Sequence, residues 1–332
     1  MPSISFVGRL LLAGLLLRGL LGAPFVAESQ SVPKVPRIGF LGAASATGYA
    51  TQLEAFRLGL RDLGYVEGQN LVVEYRWADG RYERLTPLAA ELVALKVDVI
   101  LTHGTPGTQA AKQATSTIPI VVVVVGDAVA TGLVQSLARP GGNVTGSSFF
   151  LPELSAKRLE LLREALPGAS RVAVLLNPGN PIHALISRDL DTRGHELGVA
   201  LQYANARTVG DFDRAFETMV KGRAQGLVIV DDGMLIANAA RLAELAARNR
   251  LPAIGFSELV GAGAFMSYGV SFPALWRQAP TFVDRILKGA KPSEIPIEQA
   301  SRFELILNLK AAKVLNVQVP PAVLARADSI IR

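Results

Sequence analysis

The sequence predicts an α/β protein of two lobes, each a doubly wound parallel sheet, joined by a hinge of several segments. Short β-branched runs alternate with helical segments, and this alternation occurs in both halves of the chain. Residues 120–125 are apolar without interruption, which is typical of a parallel strand buried on both faces. With 332 residues, 50% of them hydrophobic, the chain is long enough for two domains with buried cores.

The first half of the chain supplies the first series of elements. Strands are predicted at residues 37–41, 71–77, 97–101 and 120–125, and helices at 49–63, 82–95, 109–114 and 128–138. Gly64 stands where a helix C-cap is expected, and the Pro140-Gly141 pair would end the helix at 128–138. Residues 143–148 are then a short extended piece where the chain begins to leave the first lobe.

The second half repeats the pattern. Strands are predicted at residues 171–176, 199–204, 227–230, 252–256, 264–268 and 302–307, and helices at 182–197, 211–220, up to 249, 274–288 and 308–315. These positions divide the chain into a first lobe of residues 36–146 plus 270–300 and a second lobe of residues 147–269 plus 301–332. Ligand sites of doubly wound sheets lie at the carboxyl ends of the strands, so a pocket is expected where the two lobes face each other.

Residues 1–30 are predicted to be a secretory signal peptide. Arg9 gives a basic start, an apolar run follows, and small residues occur near Ala23 and Ala27. Arg18 interrupts the apolar run, so the segment is a poor membrane span, and cleavage is expected, with an uncleaved tether as the alternative. The absence of cysteine excludes disulfides, thiol catalysis and a cysteine-linked lipid. The mature protein is therefore expected to be free in the periplasm.

Charge and motifs exclude several classes of function. The formal net charge of +6 is not gathered in a Lys/Arg block with interleaved aromatics, so nucleic acid is not an expected partner. The string GFSEL lacks the second glycine of a nucleophile elbow. The phosphate-binding motifs G-x-x-x-x-G-K-[ST] and G-x-G-x-x-G do not occur where a strand meets a helix. Three scattered histidines and no cysteine give no metal-binding spacing. We expect no enzyme activity, no cofactor and no metal.

Polar and small residues at the strand ends are the candidate ligand contacts. They are Ser45, Thr105, Pro106, Thr108 and Asp127 in the first lobe, and Asn177, Asn180, His183, Asp231 and Ser257 in the second. Asp231 is a natural partner for a ligand ammonium group, although it could instead cap the following helix. The hydroxyl residues have the same alternative of capping their own helices. Asp127 and Asp232 are weaker candidates, and His103, also at a strand end, ranks with His183.

Long stretches of the chain are also similar to a known family. They include PRIGFLGAAS, RDLGYVEGQN, DVILTHGTPGTQAAKQATSTIPIVVVVVGDAVATGLVQSLARPGGNVTG, AKRLELLREALPGASRVAVLLNPGNP and LPAIGFSELVGAGAFMSYG. In these the chain resembles the ABC-transporter substrate-binding protein family, in its uncharacterised periplasmic class of tryptophan or aromatic-amino-acid type. The resemblance implies a type I periplasmic binding fold and a ligand held by the candidate residues above, except the two histidines and Asp232, which the family pattern does not carry over. Ile182-His183 and Asp231-Asp232 depart from the family pattern, so the resemblance implies the role more strongly than the ligand.

The expected function is that of an exported, monomeric solute-binding protein. It would capture a small polar ligand, an amino acid or related carboxylate, by hinge closure and deliver it to an ABC permease in the inner membrane. The alternative is a periplasmic sensory module that signals ligand binding to a membrane partner. A periplasmic enzyme and a transcription-factor effector domain are further alternatives; the latter is disfavoured because no helix-turn-helix precedes Arg37.

Overall fold

The computed structural model describes residues 34–332, and Val35–Arg332 form one compact unit. The predicted signal peptide, residues 1–30, lies outside the described residues. Over residues 34–332, every helix is too short or too polar to cross a bilayer.

The first sheet is entirely parallel within the described chain. Its strands are β1 (Arg37–Gly42), β2 (Val72–Trp77), β3 (Val99–Thr102), β4 (Ile120–Gly126), β5 (Val144–Phe149) and β11 (Glu298–Gln299), in the order β11-β5-β4-β3-β1-β2. The side chains of β4 alternate between two apolar clusters, with Val121 and Val123 in one and Ile120 and Val122 in the other. Both faces of this strand are buried, which is why its sequence is continuously apolar.

The second sheet contains β6 (Arg171–Leu176), β7 (Ala200–Asn205), β8 (Gly226–Ile229), β9 (Ala253–Gly255), β10 (Met266–Gly269), β12 (Glu304–Asn308) and β13 (Ser329–Ile331), in the order β13-β12-β10-β9-β8-β6-β7. Its parallel strands β6 to β10 have the same order as β1 to β5 in the first sheet. Only the β10–β12 pair is antiparallel among the described strands. The predicted α/β class with two sheets is confirmed.

Helices follow most strands. They are α1 (Ala50–Asp62), α2 (Leu85–Ala94), α3 (Gly104–Ala114), α4 (Leu151–Ala165), α5 (His183–Glu196), α6 (Phe212–Lys221), α7 (Gly233–Ala237), α8 (Ala239–Arg248), α9 (Ser257–Gly261), α10 (Phe272–Gln278), α11 (Pro280–Leu287), α12 (Leu309–Val314) and α13 (Pro321–Leu324). The strand order reverses between β1 and β3 in one sheet and between β6 and β8 in the other. The loops after these four strands therefore border a crevice, which is where open α/β sheets bind ligands.

The chain crosses between the sheets at three places within the described residues. The first crossing follows β5, the second lies between β10 and α10, and the third joins β11 to β12. This is the hinge of several segments that the sequence predicts. The predicted lobe boundaries stay a prediction, since sheet membership alone does not define where a lobe ends.

The predicted helix at residues 128–138 is wrong, because this segment is a series of turns. Asp127 and Gly132 both have left-handed backbone torsions, with φ of 62° and 68°. The Lys112 ammonium group on α3 donates hydrogen bonds to the carbonyl oxygens of Gly132 and Leu133, both at 2.9 Å. These carbonyls are thus bonded to a lysine from outside the segment, and the positive φ values break the helical path.

Candidate functional site

A cavity of about 40 Å³ lies between the two lobes at the carboxyl ends of the central strands. Its polar lining comes from loops after four strands, namely Tyr49, His103 and Thr105 in the first lobe and Asn180, Asp231 and Asp232 in the second. Its apolar wall includes Phe149, Ile182, Ile236, Phe272 and Trp276. Phe149 and Phe272 stand at two of the interlobe crossings, so the cavity adjoins the hinge.

Three residues that line this cavity, from both lobes, each carry a buried side-chain atom without a hydrogen-bond partner in the described chain. Within residues 34–332, the Thr105 hydroxyl, Asn180 Oδ1 and Asp231 Oδ2 accept or donate no hydrogen bond. The three residues are at most 5% exposed. A buried polar group without a partner costs roughly 1–3 kcal/mol, so several such groups on residues that line one cavity make it the candidate ligand site.

Asp231 forms a buried ion pair with Arg158 of α4, whose side chain is 1% exposed. The Arg158 Nη2 atom donates to Asp231 Oδ1 at 3.1 Å, while Nη1 lies 2.9 Å from Oδ2 without the geometry of a hydrogen bond. Arg158 also donates to the carbonyl oxygens of Tyr268 at 2.7 Å and Ile229 at 3.5 Å. Burial raises the pKa of the Asp231 carboxyl, and the adjacent guanidinium opposes that rise. The pair places two compensating charges beside the cavity.

Asp232, and not Asp231, caps the helix that follows. Its Oδ1 accepts from the backbone N–H groups of Met234 at 3.0 Å and Leu235 at 3.4 Å. Its carboxylate also accepts from the amide groups of Asn180 at 3.0 Å and Asn177 at 3.5 Å. Four donors therefore satisfy Asp232, whereas the carboxylate of Asp231, which also lines the cavity, has Arg158 as its partner.

Two buried histidines adjoin the site as neutral rings. The Nδ1 atom of His183 accepts from Asn177 N at 3.1 Å, and its Nε2 lies 3.3 Å from the Asp231 carbonyl oxygen. Burial lowers the pKa of His183, against the influence of Asp232. His103 Nε2 accepts from Ala43 N at 3.3 Å, and burial lowers the pKa of His103 to about 3. His103 lines the cavity, whereas His183 supports Asn177 and Asp231 from behind.

Other predicted contacts lie beside the cavity. The Thr108 hydroxyl donates to Gly104 O at 2.7 Å, the helix-internal role that was the alternative for the hydroxyl residues. Pro106 and Asn177 line a neighbouring groove of about 520 Å³ between the lobes. The Asn177 Oδ1 atom accepts from Gly179 N at 2.9 Å. These residues shape the surroundings of the cavity.

Three further predicted contacts, like the four just described, are not part of the cavity lining. Ser45 accepts from Gly48 N at 3.2 Å within its own loop. Asp127 accepts from the N–H groups of Val129 and Ala130, at 3.2 and 2.9 Å, in the turn after β4. Ser257 donates to Glu258 at 3.1 Å and lines a separate groove with it. The structure therefore brings Thr105, Asn180 and Asp231 together at the cavity. It leaves Ser45, Asp127 and Ser257 outside the cavity lining.

Sequence reasoning missed two features of the site. They are the aromatic wall, formed by Tyr49, His103 and Trp276, and the buried Arg158. The rings of Tyr49 and His103 lie 4.4 Å apart between centroids, and Trp276 lies 5.5 and 5.3 Å from them. Tyr49 precedes α1 and Trp276 lies on α10, so only the packing of these helices brings the rings together. An arginine in a helix is normally exposed, and no sequence signal marked Arg158 as buried.

The two lobes contact each other directly around the cavity. Tyr49 donates to Gly233 O at 3.1 Å, and the Tyr82 hydroxyl accepts from Met234 N at 3.2 Å. Gln52 donates to Glu258 at 3.0 Å. Gly48 faces Ala237 so closely that a Cβ added at Gly48 would lie 2.6 Å from the Ala237 Cβ. The lobes are therefore closed on one another.

Comparison with known proteins agrees with this geometry. Residues 40–331 match the family described as ABC transporter substrate binding protein. The chain belongs to this family. A tyrosine-binding protein of Clostridioides difficile (strain R20291) is 28% identical over 266 residues, which cover 80% of this chain and 76% of that protein.

Solved structures share the fold of this family member. A conserved domain protein from Vibrio cholerae is 29% identical with a TM-score of 0.82, over 90% of this chain and 100% of that one. An ABC domain in complex with L-Trp from Streptococcus pneumonia has a TM-score of 0.80 at 21% identity, over 89% and 99% of the two chains. A ligand-free, open substrate binding protein with adhesive properties from Clostridium difficile has a TM-score of 0.60 at 25% identity, over 90% and 99%.

Proposed function

We propose that this family member is a periplasmic solute-binding protein that captures a small polar ligand, an amino acid or related carboxylate, between its lobes and delivers it to an ABC permease. The observation that carries the proposal is one cavity lined from both lobes by Thr105, Asn180 and Asp231, each with a buried polar atom that lacks a hydrogen-bond partner in the described chain. A ligand bonded to both lobes stabilises the closed form, and a permease can then recognise that form.

The chemistry of the lining supports an amino-bearing carboxylate. Asn180 Oδ1 and Asp231 Oδ2 are acceptors suited to an ammonium group. Thr105 lies in the first turn of α3, where backbone N–H groups have no partner within the helix and attract an anion. The tyrosine-binding relative supports the amino acid class. In this proposal the protein is exported by residues 1–30, acts as a monomer and carries out no reaction of its own.

Native mass spectrometry of the purified mature protein, followed by calorimetry, tests ligand capture. One small molecule bound per chain, with an affinity near 1 μM, is expected; this corresponds to about −8 kcal/mol. Uptake of the same ligand by proteoliposomes containing the cognate permease and ATPase tests delivery. Ligand capture without stimulated uptake would favour the sensory alternative, and turnover of the ligand would favour an enzyme.

A further inference from the structure

We infer that the protein has a second binding site, for a small organic molecule with a primary ammonium group, in a pocket formed by the segments that connect the two lobes. We call it the hinge pocket. Its volume is about 320 Å³, whereas one buried water needs roughly 10–15 Å³ of such space. None of its lining residues belongs to the interlobe cavity or to the two grooves described above. The inference therefore does not depend on the proposed function.

All three interlobe crossings of the described chain contribute to the wall of the hinge pocket. Ser147 lies on β5 just before the first crossing, Val270 and Ser271 lie in the second, and Ala300 and Arg302 lie in the third. A molecule in this pocket touches the segments that bend when the lobes separate. Its binding is therefore linked to the movement of the lobes, because the pocket changes shape with the hinge.

Two hydrogen-bond acceptors lie side by side in the hinge pocket. Glu298 of β11 is the register partner of Ser147 on β5, so the two side chains project from the same face of strands roughly 4.8 Å apart. Ser147 is 1% exposed, and its hydroxyl has no hydrogen-bond partner within residues 34–332. The Glu298 carboxylate accepts from the Gln278 amide and has no ion-pair partner in the described chain. An ammonium group, with three donors, can bond both acceptors at once.

The charges and the apolar lining of the hinge pocket decide the class of ligand. Arg302 and Glu304 form an ion pair at 3.0 Å and compensate each other. Glu298 then leaves one negative charge, which attracts a cation and repels a carboxylate or a phosphate. Val270 and Leu275, which are buried, also line the pocket and suit a short carbon chain. A small primary amine fits this combination.

Calorimetry of the mature protein tests the class of ligand, with ethanolamine and putrescine as the probes. Tetramethylammonium keeps the positive charge but has no N–H donor, and acetate has the opposite charge. At least one of the two amines should bind, about tenfold or more tightly than tetramethylammonium, because charge-assisted hydrogen bonds are lost in the latter. Acetate should not bind. Binding of neither amine, or binding of acetate as tight as that of the amines, would overturn the inference.

Two matched pairs of variants test the location of the amine. Ser147→Ala should weaken its binding about fivefold and Ser267→Ala should not. Both serines are 1% exposed and have an unpartnered hydroxyl, but only Ser147 lines the pocket. Glu298→Gln should weaken binding about tenfold or more, whereas Glu153→Gln, at an exposed position outside the pocket, should not. Equal effects within both pairs would contradict the site, and melting temperatures identify any variant that fails to fold.

Thr105→Val distinguishes the hinge pocket from the interlobe cavity, since Thr105 lines the cavity and not the pocket. The affinity for the amine should be unchanged in this variant. Amide hydrogen exchange should slow at residues 269–271 and 300–303 when the amine is bound. Weaker binding in Thr105→Val, or protection confined to the loops around the interlobe cavity, would place the amine in that cavity. This result would overturn the second site and leave the proposed function intact.

Discussion

The guanidinium of Arg158 lies 2.9–3.1 Å from the carboxylate of Asp231, and both side chains are at least 95% buried. The pair connects α4 with the strand end at β8, and Arg158 also bonds carbonyl oxygens at the ends of two strands of the same sheet. The Asp231 carboxylate is thus held within the second lobe by a partner that is itself buried.

Asp231→Asn should destabilise the protein and weaken ligand binding, because it leaves the Arg158 charge buried without its counter-charge. Breaking a buried pair costs about 3–5 kcal/mol, which urea unfolding measures as a lower midpoint. Ligand affinity should fall at least about tenfold. Asp213→Asn is the control, since Asp213 forms an exposed ion pair with Arg241 at 2.9 Å. Equal effects of the two substitutions would contradict the role assigned to Asp231.

Thr105→Val should weaken ligand binding and Thr108→Val should lower stability, although both threonines are buried on α3. Thr105 has no hydrogen-bond partner within the described chain. Under the proposed function its hydroxyl bonds the ligand, so its loss should weaken binding about tenfold without lowering stability. The Thr108 hydroxyl donates to Gly104 O, so its loss should cost about 1 kcal/mol of stability and leave binding unchanged. Calorimetry and urea unfolding on both variants distinguish these results. A stable Thr105→Val protein that binds normally would remove Thr105 from the site.

Gly48→Ala should hinder closure. The added methyl group would lie 2.6 Å from the Ala237 Cβ and 2.8 Å from its carbonyl oxygen, so the lobes would have to separate. The radius of gyration from X-ray scattering should remain that of an open form in the presence of ligand, and affinity should fall about tenfold or more. Gly168→Ala is the control, because a Cβ there would have no atom within 4 Å among the described residues. A Gly48→Ala protein that closes as the control does would refute this reading of the interlobe contact.

Acid should destabilise the protein partly through His103. Burial lowers the pKa of His103 to about 3 from its ordinary value of 6.5, so the folded protein binds fewer protons than the unfolded chain between these values. The stabilisation is complete above pH 6.5 and is lost as the pH falls toward 3. At pH 5 the loss is about 2 kcal/mol.

Unfolding midpoints between pH 8 and pH 4 measure this dependence. His103→Asn should flatten the profile, whereas His195→Asn should not, because His195 lies in the exposed last turn of α5. Parallel profiles for the wild type and His103→Asn would contradict the neutral buried ring.

The alternation of strands and helices was predictable, because buried parallel strands such as β4 are apolar at every position. The positions where these strands end were predictable from the same apolar runs. Thr105, Asn180 and Asp231 follow such strand ends. The aromatic wall was not, since Tyr49 and Trp276 are more than 200 positions apart and meet only through helix packing. The sequence also could not tell the role of Asp231 from that of Asp232. Adjacent positions in an extended segment point to opposite sides, and the sequence does not show which side each of the two takes.

The groove beside α7 and α9 offers a way to follow the lobes in solution. Thr47 and Gln52 of one lobe and Ala240 and Glu258 of the other line this groove, and Ala240 is exposed. Since the whole sequence contains no cysteine, Ala240→Cys would create a unique thiol for an environment-sensitive dye. The emission of such a dye would change as the groove narrows, which would turn the protein into an optical sensor for its own ligand.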